Sequence, residues 1–189
     1  MIPDKARKVN VQLSELVTAI YGRPKVGKST FASQFPGALF AATEPGLNFL
    51  EVRDVPIRSW TEFLQLCKHI EENPKWVRTL VIDVVDILYQ HCQDHVCHQL
   101  GIDHPADLSH GKAWGALKSE FRRALTKIPM LRTSEGRQLG LVMVSHAQET
   151  EVDTRAGKVQ CWSPTLTGSA RRVVEGMSDL LLFADIEED

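Results

Sequence analysis

Nine residues, Gly22-Arg23-Pro24-Lys25-Val26-Gly27-Lys28-Ser29-Thr30, follow directly on the apolar run Leu16-Val17-Thr18-Ala19-Ile20-Tyr21. The spacing Gly-x4-Gly-Lys-Ser has a mechanical meaning. Glycines let the backbone curl so that its N–H groups point inward, and the following helix adds the positive end of its dipole. Phosphate oxygens fill such a nest. Lys28 reaches the outer phosphates as a point charge, the Ser29 hydroxyl is placed to ligate a Mg²⁺ bridging two of them, and Thr30 adds a backbone donor. The pattern therefore predicts binding of a nucleoside triphosphate.

Two carboxylates extend this chemistry. Thr79-Leu80-Val81-Ile82-Asp83 is an apolar strand ending in an acid, as needed to hold Mg²⁺ opposite Ser29. The same pattern also reads as a helix N-cap, which Asp83 or Asp86 could supply. Glu44 follows the strand Ala38-Leu39-Phe40-Ala41-Ala42 and precedes Pro45-Gly46, so its carboxylate should emerge at the same strand-end edge as the phosphate loop. There it could orient and polarise an attacking water; beside a Pro-Gly turn it also reads as a solvated carboxylate. A third strand, Leu139 to Val144, ends in Ser145-His146. His146 could touch the terminal phosphate or the water, or be an ordinary loop histidine.

Further along, residues 152–160 read as a polar hairpin around Ala156-Gly157, and Ser169-Ala170-Arg171-Arg172 follows. Arg155, Lys158, Arg171 and Arg172 are the cations that could bind a nucleic-acid backbone or reach into a neighbouring subunit's nucleotide; each could equally be a solvated surface charge. His91, His95 and His98 share one helical face with Cys92 and Cys97 nearby, which raises a zinc site. No paired Cys-x2-Cys element supplies the remaining ligands, so a polar helix face is the preferred reading. Lys112 and Trp114 offer a cation and a stacking ring after a turn-rich loop, with a core anchor as the preferred role of the tryptophan.

The elements that must position these groups alternate short apolar runs with longer amphipathic stretches, the pattern of β-α units and a largely parallel sheet. Strands are expected at residues 17–21, 38–42, 56–58 (the weakest), 79–83, 139–145 and 180–183. Helices are expected at 28–34, 60–72, 84–100, 112–131 and 169–175. The continuous apolarity of residues 79–82 and 141–144 suits central strands covered on both faces. Residues 1–15 read as an arm, loose or partly ordered, and 16–189 as one domain.

With 189 residues, 43% of them hydrophobic, the chain can bury one sizeable core. A net charge of −2 excludes a uniformly basic nucleic-acid binder but not a local basic strip. Its four cysteines form no compact framework and no signal sequence precedes Val17, which fits a reducing cytoplasm. The longest apolar runs fall far below the ~20 residues needed to cross a bilayer, so no membrane segment is expected.

With Lys28, Glu44, Asp83 and His146 in that chain order, the sequence resembles the RecA-like division of P-loop ATPases. Within it, the resemblance is to small AAA-type, phage-encoded nucleotide-binding proteins of the single-strand annealing and recombination type. The matching stretches are residues 20–35, 40–50, 79–89, 111–114, 141–146 and 164–179, most of the chain; Ala41-Ala42-Thr43-Glu44-Pro45-Gly46 and Val144-Ser145-His146 narrow it within the superfamily. The resemblance implies an α/β, RecA-like P-loop NTPase fold with a mostly parallel sheet and helices on both faces. It also implies ATP and Mg²⁺, Glu44 as catalytic carboxylate, Asp83 as the second acidic motif, His146 as phosphate sensor, and a role in DNA recombination, annealing or replication in a phage-infected cell. Single-stranded DNA, a single-strand binding protein and further copies of the chain are the expected partners.

Rival readings are narrower. No Asn-Lys-x-Asp motif is present and Asp86 stands where a GTPase has glycine, which argues against guanine. A small-molecule kinase would need an arginine-rich lid over its acceptor. A nucleotide-gated DNA-binding module with negligible turnover is the reading from a different class.

Overall fold

Apolar residues of the central strands alternate between two packed faces, and that alternation builds the molecule. The computed structural model describes residues 11–154, 157–166 and 168–186. Its strands are β1 (Val17–Gly22), β2 (Ala38–Ala42), β3 (Arg53–Pro56), β4 (Thr79–Asp83), β5 (Gly140–Thr154), β6 (Gly157–Pro164) and β7 (Leu180–Ala184). The helices are α1 (Lys28–Ser33), α2 (Trp60–Glu72), α3 (Val85–Leu100), α4 (Lys112–Lys127) and α5 (Gly168–Met177). Six strands run parallel in the order β3-β2-β4-β5-β1-β7, and β6 pairs antiparallel with the distal half of β5.

Leu80, Ile82, Leu141 and Met143 point to one face, where Trp60, Phe63, Leu88, Leu117, Phe121 and Val173 from α2, α3, α4 and α5 cover them. Val81, Val142, Val144, Ile20 and Phe40 point to the other, against Ala32 of α1 and Phe35. Burial on both sides is the reason β4 and β5 read as unbroken apolar runs. The fold is thus the expected α/β architecture, with four helices on one face and the short α1 on the other.

Three boundaries differ from expectation for local reasons. The second edge strand lies at Arg53–Pro56 instead of 56–58. Ile57, the apolar residue that marked it, is buried just beyond the strand and donates its N–H to Ala42 O. Helix α4 stops at Lys127, with a 3-10 turn over Ile128–Met130; Pro129 has no N–H to continue the helical ladder. Strand β5 runs on to Thr154, so the hairpin is an extension of a central strand, paired from Ala147↔Pro164 to Thr154↔Gly157. At the other end of the chain Leu13–Glu15 forms a 3-10 turn, and Glu15 is ion-paired to Arg137.

Candidate functional site

The strand order brings four strand ends together. In register, Gly22 lies beside His146, Asp83 beside Val144, and Ala42 beside Asp83. Because β5 is inserted between β1 and β4, its tip separates the phosphate-loop strand from the strand ending in Asp83.

The loop between β1 and α1 is shaped by its glycines. A Cβ on Gly22 would stand 2.3 Å from Ala184 O, so β1 and β7 approach only because none is there. Gly27 caps α1 with φ +95°, and the space its Cβ would take is open. The first main-chain hydrogen bond of α1 runs from Phe31 N–H to Gly27 O, leaving the N–H groups of Lys28, Ser29 and Thr30 without helical acceptors. The Lys28 side chain folds back under the loop, 6% exposed, and its Nζ donates to Gly22 O at 2.9 Å and Arg23 O at 2.8 Å. Burial lowers the Lys28 pKa, opposed by the carboxylates of Asp83, Glu44 and Asp86.

Across from it, Asp83 is also 6% exposed. Burial raises its pKa and Glu44 adds to the rise, while the Ser29 hydroxyl, Lys28 and His146 oppose it. The backbone that carries Asp83 is held by Thr43. Its N–H donates to Asp83 O at 2.8 Å, and its hydroxyl both accepts from Val84 N–H (2.7 Å) and donates to Val84 O (2.9 Å). Glu44, the next residue, is one-third exposed, and its carboxylate lies 3.3 Å from His146 Nε2. His146 Nδ1 is buried with no partner among the described residues.

These groups fit a magnesium-bound triphosphate. The loop presents uncommitted N–H groups around an open position at Gly27, and a buried ammonium lies beneath them. A hydroxyl and a buried carboxylate, Ser29 and Asp83, are the oxygen donors that would hold the cation. Residues 14–189 match the AAA domain family. The chain belongs to that family of P-loop ATPases. No curated protein matches it.

In this AAA domain the role of Asp86, in the first turn of α3, was hidden from the sequence, which offered it as a helix cap; the N-cap is Val84 and no side chain caps it. The Asp86 carboxylate accepts from Ser145 Oγ at 3.0 Å, Thr165 Oγ1 at 2.5 Å and His146 N–H at 3.4 Å. Thr165 N–H also donates to His146 O at 2.9 Å. Asp86 thereby ties α3, the tip of β5 and the chain after β6 into one support for His146. The available signal was its place one turn beyond Asp83; what it lacked was the knowledge that β5 lies next to β4.

The remaining candidates are placed differently. Lys158 is ion-paired to Glu151 and Arg171 to Glu175, the latter at 2.6 Å. Arg172 lines a groove between α4 and α5, and Arg155 lies outside the described residues. Arg23 of the phosphate loop pairs with Asp185 at 2.7 Å and sits 5.6 Å over the Trp162 ring, joining the loop to the hairpin. Trp114 is not a core anchor: it is 40% exposed, with His104 edge-on against it. On α3, Cys92 and Cys97 are buried, and among the described residues no three His, Cys, Asp or Glu side chains converge as a metal-holding group. No described helix is long and apolar enough to cross a membrane.

Proposed function

We propose that this AAA domain binds ATP with Mg²⁺ and hydrolyses it, in the service of DNA recombination, single-strand annealing or replication. The observation that carries the catalytic part is the convergence of Lys28, Ser29, Asp83, Glu44 and His146 at one sheet edge. When bound, magnesium supplies charge neutralisation on the outer phosphates. Ser29 and Asp83 are the residues that would hold it. The Lys28 ammonium exchanges its two loop carbonyls for phosphate oxygens, a trade of neutral acceptors for anionic ones. Glu44 is the one carboxylate of the set with substantial exposure to water, so it orients the nucleophile and accepts its proton. His146, held through Asp86, presents its ring to Glu44 and the terminal phosphate.

Phosphate release at saturating Mg·ATP tests this reading. Glu44→Gln should keep nucleotide affinity and lose turnover by about 10²–10⁴-fold, the span of a removed general base. Equal turnover in that variant removes Glu44 from the mechanism.

The DNA role rests on the resemblance to phage recombination ATPases and on the exposed cations Lys118, Arg122 and Arg172, which have no ion pair among the described residues. Single-stranded DNA should raise turnover at low salt and lose that effect as salt rises, because phosphate contacts release counterions. Turnover and nucleotide affinity that ignore single-stranded DNA at every salt concentration would refute the DNA role and leave the ATPase reading standing.

A further inference from the structure

Three cations of one groove differ from their neighbours. Lys118 and Arg122, one turn apart on α4, and Arg172 on α5 line a groove of about 220 Å³ together with Thr126, Val173, Gly176 and Met177. Among the described residues no acidic side chain lines it. Nearby cations are neutralised: Arg123 pairs with Glu120, Lys127 with Glu71 and Arg171 with Glu175. Lys118, Arg122 and Arg172 have no ion pair among the described residues, and all three are exposed. On a chain of net charge −2, a lining of three unpaired cations without an acid is a local excess that stands against the whole.

We propose that this α4–α5 groove is the track for the phosphodiester backbone of single-stranded DNA, an inference that rests on the DNA role proposed above and gives it a place. The groove supplies point charges for successive phosphates and, from Val173 and Met177, apolar surface for unpaired bases. Duplex DNA keeps its bases stacked inside and gains nothing from such an apolar surface. The one neutral hydroxyl of the lining, Thr126, already donates to Arg122 O at 2.8 Å, so no set of fixed donors and acceptors faces base edges and binding is indifferent to sequence. This path runs over the helical face, whereas the hairpin cation Lys158 is already committed to Glu151.

The test is fluorescence anisotropy of a labelled oligodeoxythymidylate titrated with the full chain over a salt series. The combined Lys118→Glu, Arg122→Glu, Arg172→Glu variant should bind roughly tenfold or more weakly at about 0.1 M salt. Its log–log salt slope should be shallower by about two, near 0.7 for each phosphate that is no longer neutralised. Thermal melting checks that it folds, and Arg122→Lys with Arg172→Lys, which keeps the charges, should keep the slope. An unchanged slope in the charge-reversed variant, or the same weakening from Lys158→Glu, overturns the groove while leaving the DNA role intact. Tighter binding of a duplex of the same length overturns the choice of a single strand. A wild-type chain that binds no oligonucleotide even at low salt overturns the DNA role and the groove together, with the ATPase reading unaffected.

Discussion

Asp83 is held where a carboxylate is disfavoured, and that fixes the sign of its effect on stability. Because its pKa in the fold lies above the ordinary aspartate value, the folded chain binds the proton more tightly than the unfolded chain. Stability from this group is therefore complete in acid and falls as pH rises from the ordinary aspartate range through the raised value. Asp83→Asn removes the titration. Chemical denaturation should find the variant and the parent alike in acid and the variant more stable at neutral pH, while magnesium-dependent turnover is lost; a parent that is the more stable at neutral pH contradicts the assignment. Asp86 acts differently, through Ser145, Thr165 and His146, and is a positioning residue. Asp86→Ala should lower kcat about tenfold or more with nucleotide affinity nearly unchanged, since misplacing a group by fractions of an ångström is enough to slow the chemistry. Asp86→Asn, which keeps one acceptor oxygen, should recover part of it. Steady-state kcat and KM for the pair decide whether the residue works through position.

At the scale of elements, the β2 exit is the part most exposed to a single change. The Thr43 hydroxyl serves both the N–H and the carbonyl of Val84; Thr43→Val leaves the part-buried Val84 N–H without its acceptor, while Val84 O keeps only the Leu88 N–H at 3.3 Å. That should cost about 1–3 kcal/mol in denaturant midpoint measurements, and Thr43→Ser should restore most of it. Thr43 is also an instance of what the sequence hides: it reads as one turn residue before Glu44, and its brace on Val84 exists only because β2 and β4 are neighbours. The phosphate loop and strands β1, β2 and β4 are legible because local spacing and unbroken apolarity carry them. Strand β3 is misread because Arg53-Asp54-Val55-Pro56, a sheet edge with one neighbour, has no buried face to print a pattern. Asp86 escapes for the reason Thr43 does, since its partners come from residues 145 and 165, far away in the chain. The hairpin is visible from its turn residues, yet nothing local says that it prolongs β5.

For the whole molecule, the separated strand ends make nucleotide binding a property of the folded state alone. Gly22, Asp83, Glu44 and His146 come from four strands or their ends and meet only when β2, β4, β5 and β1 are in register. A ligand that requires that meeting binds the native chain and not the unfolded one, so it must raise the melting temperature by mass action. At about 100 times its Kd, a Mg-bound non-hydrolysable ATP analogue stabilises by about 2.7 kcal/mol, worth about 5–10 °C in a domain of this size. The shift should appear in the parent and in Glu44→Gln, whose carboxamide leaves the phosphate loop untouched. It should vanish in Lys28→Ala, which also strips the Gly22 and Arg23 carbonyls of their donor, so the quantity to compare is the shift and not the starting temperature. An undiminished shift in Lys28→Ala would mean that the nucleotide sits elsewhere than in the loop between β1 and α1.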